Sequence, residues 1–80
     1  MRPYITGHAR KRMALRRVTE EQVEQVLRSP SVTMTTPKNS VQYEGTFPDG
    51  RTLKVWVVGN DDPTARKVVK SVAWKGEDDE

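Results

Sequence analysis

The hydrophobic period of this chain changes once, at Ser29-Pro30, and that single change limits the folds open to it. Upstream, Val23, Val26 and Leu27 recur at i, i+3 and i+4, the stripe of an amphipathic helix. Downstream, apolar and polar residues alternate, as in half-buried strands. The boundary has a cause, because the residue before a proline is pushed out of the α region. Thr19-Glu20-Glu21-Gln22 supplies the matching start signal. Thr19 caps the helix, Gln22 reaches back to it, and Glu20 and Glu21 sit in the positive first turn. Val18 is placed to pack on Val23 as a hydrophobic staple. The spacing therefore predicts a helix over Glu20 to Arg28. An earlier helix is expected from about His8 to Arg16, burying Ala9, Met13 and Leu15 and turning Arg10, Lys11 and Arg17 outward. Before it, Met1 to Thr6 forms a lead-in strand or arm, and Pro3 argues against a central strand.

Beyond Pro30 the alternation gives four strands. Val32 to Thr36 is stopped by Pro37-Lys38-Asn39. Val41 to Phe47 has a weak point at Gly45 and leads into the turn residues Pro48-Asp49-Gly50. Thr52 to Val58 is the most apolar run, hence the expected central strand. Asn60-Asp61-Asp62-Pro63 makes a turn before a last strand from Lys67 to Trp74. Along Thr52 to Val58, Leu53, Val55 and Val57 share one face, and Lys54 and Trp56 lie on the other. In the last strand alternation groups Val68, Lys70, Val72 and Trp74 against Val69, Ser71 and Ala73. The order α-α-β-β-β-β has short connections, which favour antiparallel neighbours. The expectation is an α+β fold with two N-terminal helices packed on a four-stranded antiparallel sheet. It forms a single domain over residues 1–76, followed by a disordered acidic tail over residues 77–80.

Eighty residues that are 34% hydrophobic can build only a small core. Without cysteine there is no disulfide, thiol nucleophile or zinc ribbon, and with one histidine a tetrahedral zinc site is not expected. No signal-peptide pattern or membrane-length apolar run occurs, which points to a cytoplasmic protein. The net charge is +3. Setting aside the four acids of residues 77–80, fourteen basic residues face seven acids, so the body carries +7. Such a body suits an anionic partner, nucleic acid above all. The plainer alternative is a solvated surface kept soluble by charge.

The charge is densest in Gly7 to Val18, which holds the only histidine and five of the fourteen basic residues. On a helix, His8, Arg12 and Arg16 fall at successive i, i+4 steps and share a face. Like charges at that spacing cost an isolated helix roughly 0.2–0.5 kcal/mol per pair, a repulsion that an anion relieves. Histidine is the side chain that ordinarily exchanges protons near neutrality, and guanidinium forks fit phosphate oxygens. Against this, His8 could simply cap the first turn or pack on the sheet. Basic strand residues mixed with Trp56 and Trp74 could grip phosphates and stack a base, unless the tryptophans are core or edge residues. No phosphate-binding glycine loop or serine elbow occurs, and paired carboxylates are hard to assemble from acids that cluster in turns and in the tail.

His8-Ala9 with Arg12-Met13, Arg17-Val18-Thr19 with Val23, Pro30, the run Asp49-Gly50-Arg51-Thr52-Leu53-Lys54-Val55 and the closing Val72-Ala73-Trp74 resemble the DUF4258 family of small prokaryotic proteins. The resemblance covers about Gly7 to Trp74. It implies a fold similar to RelE, barnase-like and colicin-type toxins, whose relatives are metal-independent endoribonucleases, often in toxin–antitoxin pairs. Within the family itself, ribonuclease activity is an inference from comparison. The resemblance sets His8 and Arg12 on the family's paired histidine and arginine, and Lys54 on its basic strand position. Ser71 stands where the family usually has threonine, so a hydroxyl is retained.

The expected activity is attack of a ribose 2′-OH on the adjacent phosphate, in free or ribosome-bound RNA. His8, Arg12, Lys54 and Ser71 are the candidate catalytic residues. Arg10, Lys11, Arg16, Arg17, Lys70 and Trp74 are the candidate nucleic-acid contacts. No metal or cofactor is called for. An acidic antitoxin is the candidate protein partner, no membrane is involved, and the chain is a monomer or homodimer. The competing functions are a nucleic-acid-binding module that does not cleave and a protein-interaction module that docks its basic first helix.

Overall fold

A computed structural model describes residues 2–59 and 64–76. The expected turn at residues 60–63 and the acidic tail at residues 77–80 lie outside the described residues. Chain order is β1 (Tyr4–Ile5), α1 (Gly7–Arg16), α2 (Glu20–Arg28), β2 (Val32–Thr36), β3 (Ser40–Thr46), β4 (Thr52–Val58) and β5 (Val68–Trp74). The α+β class holds, but the sheet is not four-stranded and antiparallel. It has five strands in the order β1-β5-β4-β3-β2, with β1 parallel to β5. The lead-in segment makes the difference. Tyr4 and Thr6 donate backbone hydrogen bonds to the Lys67 and Val69 carbonyls at 2.8 and 3.2 Å, closing the edge of β5. Two residues are too few to show alternation, and Pro3, which lacks a donor, stands outside the pairing.

Both helices start at threonine caps. Thr19 accepts from the Gln22 amide at 3.1 Å while the Gln22 side chain accepts from the Thr19 amide at 2.9 Å, a complete capping box. Thr6 caps α1 by accepting from the Ala9 amide at 3.1 Å. The helices are separated by Arg17, whose φ of 55° is left-handed and lets its amide close on the Met13 carbonyl.

Helix α1 lies against β5 past the end of β1. The Arg16 guanidinium donates to the Val72 carbonyl and the Trp74 indole donates to the Arg16 carbonyl, both at 2.7 Å. Ala9 and Met13 enter the core with Val18, Val23 and Val26. Leu15 does not: it is 75% exposed, on the helix face turned away from the sheet. Gly45 seats α2, since a Cβ there would come within 3.0 Å of Val26 Cγ2.

The core face of the sheet carries Leu53, Val55 and Val57, paired with Trp74, Val72 and Val69. A bulge interrupts the pairing: Val57 faces Val69 and Trp56 faces Ser71, leaving Lys70 as the extra residue. This corrects the alternation expected for the last strand. Val69 joins Val72 and Trp74 on the helix side, whereas Ser71 and Ala73 lie on the other face with Trp56 and Lys54. That second face has no helix on it among the described residues.

Candidate functional site

Register places four residues in a row across the open face. Met34 pairs with Gln42, Gln42 with Trp56, and Trp56 with Ser71, from β2 through β5. Residues directly opposite one another share a face. With strands about 4.8 Å apart, the row spans roughly 14 Å. It forms the floor of a depression of about 570 Å³, within the range of small-ligand sites. His8, at the start of α1, lies at the Ser71 end. Lys54 and Lys70 flank the row, and Lys38 rises from the β2–β3 turn. Thr36 and Ser40 hydroxyls 2.5 Å apart tie that turn to the sheet, and Asn39 takes a φ of 56° within it.

The polar groups of the floor are held in fixed orientations. Trp56 Nε1 donates to Gln42 Oε1 at 3.1 Å, and Gln42 Nε2 donates to Glu44 Oε2 at 2.8 Å. Glu44 is buried, and its other oxygen lies 3.6 Å from Lys75 Nζ. Ser71 differs: its hydroxyl is buried and has no hydrogen-bond partner among the described residues. A buried hydroxyl without a partner is uncommon and calls for an explanation. At the rim, Arg12 Nε points to His8 Nε2 at 3.4 Å, a long contact in which Nε2 accepts and the ring proton is assigned to Nδ1.

Of the sequence candidates, His8, Lys54, Lys70 and Ser71 line this one depression, and Arg12 stands behind His8. The others are elsewhere. Arg10 pairs with Glu20 at 3.1 Å across the two helices. Arg16 is bound to the β5 backbone. Lys11 and Arg17 are exposed on and after α1. Trp74 offers no surface for a base, being 3% exposed. Phe47 meets its ring edge-on at 6.1 Å, and the Arg51 guanidinium lies 4.1 Å from its centroid. Arg51 is held in turn by Asp49, whose carboxyl titrates below its ordinary range because the Arg51 amide and guanidinium donate to it.

Sequence reading passed over Met34, Lys38 and Gln42. Pairing β3 to β4 would have set Gln42 beside Trp56; the bulge at Lys70 that puts Val69 on the helix side carries no sequence mark.

A second hollow of about 540 Å³ lies between Arg2, Leu27, Arg28 and Arg66. It is the poorer anion site. It sits at the carbonyl end of α2, and Glu24 both lines it and approaches Arg2 at 3.9 Å. No helix among the described residues is long and apolar enough to cross a membrane.

A family model described as "Domain of unknown function (DUF4258)" matches residues 5–74. No curated protein and no solved structure matches the chain.

Proposed function

The chain belongs to the DUF4258 family, and from its own geometry we propose that the open sheet face binds RNA and cleaves it without a metal. The observation that supports this most is convergence. His8 from α1, Lys54 from β4, and Lys70 and Ser71 from the β5 bulge, far apart in sequence, line one depression. In the reaction the 2′-oxygen bonds to phosphorus as its proton passes to His8 Nε2, the nitrogen that already acts as acceptor. The 3.4 Å contact from Arg12 is weak enough for a closer hydroxyl to displace. Lys54 and Lys70 offset charge on the phosphorane oxygens, and the Ser71 hydroxyl donates to one of them. The P–O5′ bond then breaks, and the 5′-oxygen takes a proton from water or a lysine ammonium. The products are a 2′,3′-cyclic phosphate and a 5′-hydroxyl.

The reading extends to a likeness with RelE, barnase and colicin-type ribonucleases, to action in the cytoplasm and to an acidic antitoxin as partner. The basic body and the α+β arrangement of helices on a sheet support these. A binding module that does not cleave is favoured by one observation: the chain has one histidine, which cannot provide base and acid in the usual two-histidine manner. The test is incubation of labelled RNA, and of DNA of the same sequence, in chelator. Cleavage of RNA alone, ending in cyclic phosphate and lost in His8→Ala, is expected. Binding of both strands with cleavage of neither, on naked or ribosome-bound RNA, would leave the binding module.

A further inference from the structure

We infer that the Met34–Gln42–Trp56–Ser71 row is a subsite for one unpaired nucleotide whose base carries a carbonyl oxygen. The inference rests on the RNA reading above and adds what that reading leaves open, namely which part of the strand the floor recognises.

The row is polarised along its length. At the Ser71 end stand the unused buried hydroxyl, Lys70 and His8, all suited to a phosphate. At the other end lies Met34, 45% exposed, with Trp56 and Gln42 between the two ends. Roughly 14 Å of floor takes a phosphate at the Ser71 end and its base over Trp56 and Gln42 in the middle, with Met34 beyond.

Trp56 is set to stack. Its one polar atom, Nε1, is already engaged by Gln42 Oε1, so what Trp56 contributes to the lining of the depression is ring carbon. A base inside a duplex has both faces covered, so only an unpaired base fits.

Gln42 reads the base edge. Its amide is fixed at both atoms, the oxygen by Trp56 and the nitrogen by Glu44. An amide nitrogen has two hydrogens, and Glu44 engages one at 2.8 Å. The second is a donor on the floor beside the stacking plate. Because the amide cannot flip without breaking both contacts, it stays a donor. Uracil, cytosine and guanine each offer an exocyclic carbonyl with two lone pairs to it; adenine offers only ring nitrogens with one in-plane lone pair each, and so meets this donor in fewer orientations.

Short oligouridylate and oligoadenylate, 2′-O-methylated to prevent turnover, are titrated into the protein. Indole fluorescence reports the subsite and anisotropy of an end-labelled strand reports binding. The subsite predicts quenching by oligouridylate and weaker binding of oligoadenylate. In Trp56→Leu, which leaves the buried Trp74 as the only indole, quenching disappears and affinity falls by at least about fivefold, the low end of what one stacked base contributes. In Gln42→Leu, close in shape, the two strands bind equally. Circular dichroism melts establish that both variants are folded; if Trp56→Leu is not, Gln42→Leu alone decides. Binding without quenching, or a uridylate preference that survives Gln42→Leu, overturns the subsite and leaves the RNA reading in place. Absence of any binding by anisotropy overturns both.

Discussion

Ser71 carries a hydroxyl that its surroundings do not use. Burying such a group without a partner costs on the order of 1–3 kcal/mol, whereas alanine leaves nothing to satisfy. Ser71→Ala should therefore melt at the same temperature as the parent or higher, while RNA affinity falls. A variant that loses stability and keeps its affinity would show the serine to be structural. His8 gives a complementary case. It is exposed at the first turn of α1, so His8→Ala should abolish cleavage with the melting temperature nearly unchanged. Asp49 supplies a small pH effect. Its folded pKa is depressed, so the stability it adds is present above the ordinary carboxylate range and is lost as pH falls through the folded value. Because the pair is exposed, the loss is slight and shrinks with salt. Comparing acid unfolding of the parent with Asp49→Asn measures it.

Among the elements, α2 was the most legible because every signal for it is local: a capping box, an apolar stripe and a proline stop. Its bounds, Glu20–Arg28, are those the spacing predicts. Thr19→Ala should lower stability by about 1 kcal/mol in a denaturant melt. Helix α1 was legible in extent but not in attachment. Nothing local says that Arg16 would be bound by the Val72 carbonyl, or that Trp74 would donate to the end of the helix; both contacts join residues more than fifty positions apart. Trp74→Phe removes that donor and should cost on the order of 1–3 kcal/mol. RNA binding by the folded variant should persist, since the ring is in the core. Loss of binding without loss of stability would return Trp74 to the interface. Strand β1 was missed as a sheet member for the same reason. Its pairing with β5 is tertiary, and two residues carry no period.

At the scale of the whole molecule, cations concentrated in α1 suggested that its basic face meets the anion. Folding spends Arg16 on the sheet and pairs Arg10 with Glu20, and it brings His8 to the rim of a different surface. That surface is assembled by strand register, which single-strand patterns do not encode, and by a bulge at Lys70 that moves Val69 to the helix side while Ser71 stays with Ala73 on the open face. Binding there should depend on salt. With Lys38, Lys54, Lys70 and Arg12 near the strand, the logarithm of affinity should fall against the logarithm of salt with a slope of about −2 to −3. A flat dependence would contradict a phosphate-binding surface. The most direct test of its location is amide chemical-shift mapping with 2′-O-methyl oligouridylate, which binds without being turned over. The account predicts shifts at His8, Gln42, Trp56 and Ser71. Shifts confined instead to Lys11 and Arg17, or to the hollow between Arg28 and Arg66, would contradict it.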